Sequence, residues 1–164
     1  MFNVQQLREC VIRPTLLTIG LHSAAAEDLV VGTWATESSL GTYLVQRGNG
    51  PALGVAQMEP ATHDDIWINW LGARSADVAL MKGMVGSRFW DTDKGRPNPQ
   101  ALVVSLDYAA AMTRYHYRRV PAALPKAGDW AGMAAYYKRF YNTPLGRGSE
   151  AKFLADCERC GVIA

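Results

Sequence analysis

The sequence has few cysteines. Its 164 residues contain three, at positions 10, 157 and 160. A low, odd number does not make a disulfide framework. Residues 157–160 have the C-x-x-C spacing, but a zinc site would need a second ligand pair. A redox motif of this type would follow a strand, and none is predicted here. We therefore expect structural or incidental thiols, no metal and no cofactor.

Strong net charge and long apolar runs are also missing. The 17 basic and 15 acidic residues leave a net charge of +2, which excludes a strongly basic nucleic-acid binder, so no nucleic-acid partner is expected. No apolar run approaches the roughly 18 residues of a transmembrane helix. Residues 1–13 include Arg8, Glu9 and Arg13 instead of the apolar core of a signal peptide. We expect a soluble product with no transmembrane segment and no signal peptide.

The length and composition predict a single helix-rich domain over residues 1–164. A chain of 18.0 kDa can bury a sizeable core without metal or disulfide support. The 23 alanines outnumber the 12 valines and 5 isoleucines, which favours helices. The charge is uneven: residues 1–82 carry 5 basic and 8 acidic groups (−3), and residues 83–164 carry 12 and 7 (+5). The basic half suits an anionic partner, or is simply a solvated surface.

Capping residues and apolar periodicity outline the elements. Helices are predicted over residues 4–13 (closed by Pro14), 23–37, from Pro60, 76–84, 98–119, 129–141 and 149–160. Residues 42–57 contain a short β-prone run and dense turn chemistry, which predicts a small hairpin or an irregular segment. Residues 86–98 are predicted to form a polar loop.

Glu37 is the leading candidate for a catalytic residue. It lies near the C-terminal end of a predicted apolar helix, where the helix dipole disfavours a carboxylate. Its neighbours Trp34 and Leu40 are expected to desolvate it, and both effects raise the pKa of a carboxyl group. A carboxylic acid that stays protonated near neutral pH is what protonation of a glycosidic oxygen requires. A solvated glutamate at a helix end is the alternative.

Three short motifs follow in order along the chain. Glu37 and Ser38 form a Glu-Ser pair, and residues 54–58 read Gly-Val-Ala-Gln-Met, with Pro-Ala-Thr at 60–62. Tyr141 and Asn142 form a Tyr-Asn pair near the end of the domain. This combination resembles the lytic transglycosylases of the lysozyme superfamily, which are related to goose-type lysozyme, and in particular their phage-encoded forms.

The resemblance implies a fold, a reaction and a set of site residues. The fold would be α+β and predominantly helical, a lysozyme-like two-lobed domain with a small β or irregular lobe after the catalytic helix. The reaction would be cleavage of the β-1,4 bond between N-acetylmuramic acid and N-acetylglucosamine in bacterial peptidoglycan. Glu37 would be the acid and base, and Ser38 or Ser39 would orient it or the substrate. Gln57, Met58 and Asn142 would bind the saccharide, and Tyr141 would form a hydrogen bond near the carboxyl group.

Acidic residues are absent between positions 38 and 58. A two-carboxylate glycosidase needs a nucleophile or a base besides its acid. Their absence favours the transglycosylase route, in which the muramoyl 6-hydroxyl attacks internally and gives a 1,6-anhydro product. Glu59 weakens this inference, because it follows the second motif and is either a second carboxylate, as in a hydrolytic lysozyme, or a cap for the next helix.

Other candidates are weaker. Residues 63–65 (His-Asp-Asp) form a polar cluster, but neighbours on a helix point in different directions, so a metal site is not expected. His116 is expected to lie at the edge of the core, and the alternative is that it contacts a phosphate or a sugar. One or two tryptophans at most would stack on sugar rings, because aromatic residues at helical spacing are usually core. The tryptophans considered are Trp67, Trp70, Trp90 and Trp130.

The predicted partner is bacterial peptidoglycan, with other phage virion proteins as further partners. Two placements agree with this: a virion component that opens the wall at infection, or an endolysin that leaves the host cytoplasm for the periplasm and wall at lysis. A non-catalytic phage structural or wall-binding protein with the same fold is the alternative from a different functional class.

Overall fold

The computed structural model describes residues 1–142 and 148–163. Helices account for 59% of the chain, so the fold is α+β and predominantly helical. The α-helices are α1 (Val4–Leu7), α2 (Arg13–Thr18), α3 (Ala24–Ser38), α4 (Pro60–Ile66), α5 (Ser75–Gly83), α6 (Ala101–Val104), α7 (Leu106–Arg118), α8 (Trp130–Tyr137) and α9 (Glu150–Arg159). π-Helical turns cover Arg8–Ile12, Trp67–Leu71 and Lys138–Asn142, and a 3-10 turn covers Ser87–Phe89.

Helix α3 is the centre of the structure. It begins where the Ser23 hydroxyl accepts a hydrogen bond from the Ala26 N–H, as expected for a serine cap. Every residue from Leu29 to Thr36 is buried, because α7, α8 and α9 pack around the helix. The helix ends where Ser39, Leu40 and Gly41 adopt left-handed backbone angles. This sharp turn leaves Glu37 in the last helical turn.

Helix α9 lies unusually close to α3 at Gly32. A Cβ atom at Gly32 would lie 2.5 Å from the Phe153 ring, so only glycine permits this approach. The predicted serine cap of α9 is confirmed, since the Ser149 hydroxyl accepts from the Lys152 N–H. The close packing brings the polar side chains of α9 next to the C-terminal end of α3.

Two predicted helix boundaries are wrong. Pro14 does not close the first helix, which continues to Thr18. The π-helical turn Arg8–Ile12 lies directly before this segment, and its altered hydrogen-bond pattern accommodates a proline, which has no N–H to donate. The helix predicted over 98–119 is two helices, because Ser105 is extended and its hydroxyl accepts from the Tyr108 N–H to cap α7.

The strands lie in an unexpected place. Strands β1 (Trp90–Asp91) and β2 (Arg96–Pro97) pair antiparallel within the stretch predicted to be a polar loop. Residues 42–57 form no strand but only isolated bridges, from Leu53 to Val45 and to Met58, so this segment is irregular and not a hairpin. No helix in the described ranges is long and apolar enough to cross a membrane.

Candidate active site

Glu37 lies at the wall of a cleft of about 750 Å³. Its side chain is partly buried between the end of α3, helix α8 and the irregular segment after α3. The described residues that line the cleft are mostly polar: Thr36, Glu37, Tyr43, Gln46, Arg47, Ala52, Gln57, Met58, Glu59, Thr62, His116, Tyr137, Tyr141, Asn142, Gly148 and Lys152. The cleft is therefore large and polar enough for a hydrophilic ligand such as a saccharide.

Burial raises the pKa of the Glu37 carboxyl to about 7. The loss of solvent is the largest cause, since it disfavours the charged form. A hydrogen bond from Tyr137 and the charge of Lys152 oppose it, and the charge of Asp156 adds to it. Near neutral pH the group is therefore divided between a proton donor and a proton acceptor, as an acid/base residue requires.

Tyr137 is the direct partner of the Glu37 carboxyl. Its hydroxyl donates to Glu37 Oε1 at 2.6 Å. Burial and the nearby Glu37 raise the pKa of Tyr137, so the phenol remains a donor. Asn142 Nδ2 lies 3.4 Å from the Tyr137 oxygen, to which it donates. The predicted site residue Asn142 thus belongs to the cleft, where it contacts the partner of the acid.

Tyr141 lines the cleft, but its hydrogen-bond partner is not the one expected. Its hydroxyl donates to the Ala56 carbonyl at 2.7 Å instead of bonding near the Glu37 carboxyl. Its ring stacks on Tyr137 and contacts His116 edge-on. The prediction took the tyrosine next to Asn142, but the π-helical turn after α8 directs Tyr141 to the loop that carries Gln57, and Tyr137 contacts the acid. Two tyrosines four residues apart share a helix face, which is the only sequence signal for Tyr137.

The two serines after Glu37 have structural contacts. Ser38 is fully buried; its hydroxyl donates to the Val55 carbonyl at 2.7 Å and accepts from the Gly41 N–H at 2.8 Å. Ser39 accepts a hydrogen bond from Arg159. Neither residue is among the described residues that line the cleft, so the expected role of Ser38 or Ser39 in orienting the acid or the substrate stays a prediction. Ser38 instead ties the end of α3 to the loop at residues 54–57.

Gln57 and Met58 do line the cleft. Gln57 has a left-handed backbone (φ +45°), and its Nε2 donates to the Gly54 carbonyl at 2.8 Å. Gly54 is required at the start of this turn, because its φ is +72° and a Cβ would lie 2.3 Å from the Leu102 carbonyl oxygen. The spacing of the second motif thus has a physical reason: the glycine packs on α6, and the turn places Gln57 in the cleft.

Glu59 also lines the cleft, with an exposed side chain. It occupies the cap position of α4, where its carbonyl accepts from the His63 N–H. Its carboxylate makes no capping hydrogen bond, so the cap comes from the backbone alone. The side chain of Glu59 is thus a second carboxylate in the same cleft as Glu37.

His63 is a buried structural residue and not a ligand. Its ring bonds to the Tyr108 hydroxyl at 2.7 Å and to Asp64 at 2.9 Å, and Asp64 pairs with Arg96. Burial lowers the pKa of His63, which favours the neutral ring. Across the described residues, no group of histidine, cysteine and acidic side chains could hold a metal ion.

His116 borders the cleft at the edge of the core. Its Nε2 donates to the Phe140 carbonyl at 2.9 Å, and burial lowers its pKa to about 4. The ring is neutral near pH 7. No tryptophan is among the described lining residues, and the aromatic rings that line the cleft are those of Tyr43, His116, Tyr137 and Tyr141.

Several lining residues were not predicted from the sequence, among them Tyr43, Arg47 and Lys152. Tyr43 donates its hydroxyl to the Glu37 carbonyl at 2.8 Å, and the Arg47 guanidinium lies over the Tyr43 ring. Lys152 reaches the cleft from α9. Each belongs to a segment whose position depends on packing and not on local pattern. In comparisons with known proteins, no family model, no curated protein and no solved structure matches the chain.

Proposed function

We propose that this protein cleaves the β-1,4 bond between N-acetylmuramic acid and N-acetylglucosamine in bacterial peptidoglycan, with Glu37 as acid and base. The observation that supports the proposal is the Glu37 carboxyl itself. It has a pKa of about 7, lies in a polar cleft of about 750 Å³, and is held by Tyr137. Such a group gives a proton to a leaving oxygen and takes one back.

The hydrogen bond from Tyr137 selects the atom that carries the acid proton. Because Tyr137 donates to Oε1, this oxygen acts as an acceptor, and the proton of the neutral acid resides on Oε2. In the proposed reaction, Oε2 gives this proton to the glycosidic oxygen as the bond to the muramoyl C1 breaks.

The second half of the reaction is proposed to be intramolecular. The muramoyl 6-hydroxyl attacks C1 and gives its proton to the Glu37 carboxylate, which restores the acid and leaves a 1,6-anhydro product. No protein nucleophile is required, which agrees with the absence of acidic residues at positions 38–58. This chemistry is that of a lytic transglycosylase.

A hydrolytic lysozyme is the second candidate. Glu59 favours it, because its exposed carboxylate borders the same cleft and is available to activate water. A non-catalytic phage structural or wall-binding protein is the third candidate. Such a role does not explain why a partly buried carboxyl group, that of Glu37, lies in an open cleft.

The finer features of the fold belong to the same proposal. In it, the domain has two lysozyme-like lobes, with α3 and its packed helices on one side of the cleft and the irregular segment at residues 42–57 on the other. The protein would be a phage virion component or an endolysin. The net positive charge of residues 83–164 would favour binding to the anionic cell wall.

Zymography on purified peptidoglycan tests the activity. Wild type and the control Glu158→Gln, which alters an exposed glutamate of α9, should clear the gel, and Glu37→Gln should not. No clearing by any of the three would support the non-catalytic candidate. Mass spectrometry of the released muropeptides then separates the enzymes, since anhydro ends support a transglycosylase and reducing muramic acid supports a hydrolase.

A further inference from the structure

Two cationic side chains of α9 contact the residues on either side of the Glu37–Ser38 pair. Lys152 Nζ donates to the Thr36 carbonyl at 3.1 Å. Arg159 Nη2 donates to the Ser39 hydroxyl at 3.1 Å. The two contacts therefore bracket the candidate acid from the same neighbouring helix.

Asp156 joins these two cations. It forms ion pairs with Lys152 and with Arg159, the latter at 2.7 Å. Its side chain is only 13% exposed, whereas those of Lys152 and Arg159 are about half exposed (50% and 53%). Residues 152, 156 and 159 have the i, i+4, i+7 spacing of one helix face, so α9 presents all three towards α3.

The end of α3 needs such a donor. In a continuing helix the Leu40 N–H would bond to the Thr36 carbonyl, but the left-handed turn directs it to the Trp34 carbonyl instead. Carbonyl groups in the last turn of a helix carry partial negative charge and are stabilised by cations. Lys152 supplies both a donor and a positive charge at this point.

We propose that Lys152, Asp156 and Arg159 form a positioning clamp, which holds the last turn of α3 and balances the charge around the Glu37 carboxyl. The inference rests on the proposed function, in which Glu37 is the acid. Lys152 favours the carboxylate form of Glu37, and Asp156 favours the protonated form, so the two charges oppose each other.

Other titratable and charged groups also lie around the Glu37 carboxyl. They are Tyr43 after α3, Tyr117 on α7, Tyr137 on α8 and Tyr141 in the π-helical turn, together with Arg47, Glu59 and His116 around the cleft. Burial raises the pKa of Tyr117, Tyr137 and Tyr141, so these three phenols keep their protons. Removal of one clamp charge therefore alters the balance without changing the direct partner of the acid.

Titration of the Glu37 carboxyl by ¹³C NMR tests the clamp, with the signal assigned by its loss in Glu37→Gln. Lys152→Met should raise the Glu37 pKa, and Asp156→Asn should lower it. Each shift should be about 0.5 pH unit, as for a charge that solvent partly screens. The double variant should return close to the wild-type pKa. Lys152→Arg, which keeps both the charge and the donor, should leave the pKa unchanged.

Lys126→Met is the matched control, because Lys126 is exposed and does not line the cleft. It should leave the Glu37 pKa unchanged. Shifts of the same sign in Lys152→Met and Asp156→Asn, or no shift in Lys152→Met, would overturn the clamp. If Asp156→Asn does not fold, Lys152→Met and Lys152→Arg still decide the question.

The titration needs no substrate, so it separates the clamp from the proposed function. Opposite shifts in a protein that does not degrade peptidoglycan would support the clamp and reject the enzyme. Where activity is present, Arg159→Met should lower kcat severalfold with little change in KM, since Arg159 holds Ser39 and is not among the described residues that line the cleft. An unchanged kcat would reject the contribution of Arg159.

Discussion

The hydroxyl of Tyr137 donates a hydrogen bond of 2.6 Å to Oε1 of Glu37. The two residues lie 100 positions apart, at the ends of α8 and α3. The orientation of the candidate acid therefore depends on how these two helices pack.

Tyr137→Phe should raise the pKa of Glu37 above about 7, because the variant removes a bond that favours the carboxylate. Glu37 would then remain protonated to higher pH, and the alkaline limit of activity should move upward. Maximal turnover should fall about tenfold, the equivalent of one hydrogen bond to a charged group. A pH–rate profile of peptidoglycan cleavage measures both effects.

Tyr136→Phe is the control for Tyr137→Phe. The neighbouring Tyr136 hydroxyl donates to the Ala122 carbonyl, so its removal should leave the alkaline limit in place. An alkaline limit that moves downward in Tyr137→Phe, or moves equally in both variants, would contradict the assigned hydrogen bond.

The position of Glu37 was predictable from the sequence, and that of its partner was not. The Ser23 cap and the apolar run locate α3 and place Glu37 in its last turn, because these are local signals. Tyr137 reaches Glu37 only through the packing of α8 on α3, and a local pattern cannot indicate which of two neighbouring tyrosines points inward. The expected hydrogen bond near the carboxyl was therefore given to Tyr141, which lines the cleft, whereas Tyr137 makes the bond to Glu37.

The places where helices break or continue were also not predictable from capping residues and apolar periodicity. Ser105 looks like any polar residue between apolar neighbours, yet its hydroxyl caps α7 and divides the predicted helix. Pro14 is a strong stop signal, but a π-helical turn before it lets the helix continue. In both cases a local feature of the backbone, which apolar periodicity does not reveal, sets the course of the helix.

Glu37→Gln should stabilise the fold at alkaline pH. A carboxyl whose folded-state pKa is raised from 4.5 to about 7 contributes stability that is complete below pH 4.5 and is lost as the pH rises through 7. The variant cannot ionise. Its unfolding free energy should therefore match that of wild type near pH 4 and exceed it by about 3 kcal/mol at pH 8.

Urea unfolding at a series of pH values measures this difference. Glu158→Gln is again the control, because its exposed side chain should give no such pH dependence. A difference between Glu37→Gln and wild type that does not grow with pH would show that Glu37 is not buried as an acid.

Gly54→Ala should damage the cleft severely. A Cβ at Gly54 would lie 2.3 Å from the Leu102 carbonyl oxygen, and a backbone atom cannot move aside as a side chain can. The expected loss of stability is about 3 kcal/mol, together with loss of activity as Gln57 moves.

Gly48→Ala is the matched control. Gly48 has a similar φ of +77° but open space around it, so its substitution should cost only the backbone strain of about 1 kcal/mol. Equal losses in the two variants, measured by thermal unfolding, would contradict the steric argument.

Glu27→Gln should destabilise the fold and weaken its acid sensitivity. Glu27 is 4% exposed, and its carboxylate accepts from Arg8 and Arg13 and contacts His22. Burial acts to raise the pKa of Glu27, but these partners together outweigh it and the pKa is lowered below 4.5.

The stability that Glu27 contributes is thus present above pH 4.5 and is lost as the pH falls through its folded-state pKa. Because the substitution removes the charge that Arg8 and Arg13 bind, and these two side chains are 19% and 46% exposed, the loss should be about 2 kcal/mol at pH 7 and should shrink in acid. The exposed Glu9→Gln should cost less than 1 kcal/mol in the same urea titrations, by the rule of about 0–1 kcal/mol for surface charges. A loss in Glu27→Gln that is constant down to pH 2 would mean that packing, and not the charge of Glu27, holds α2 to α3.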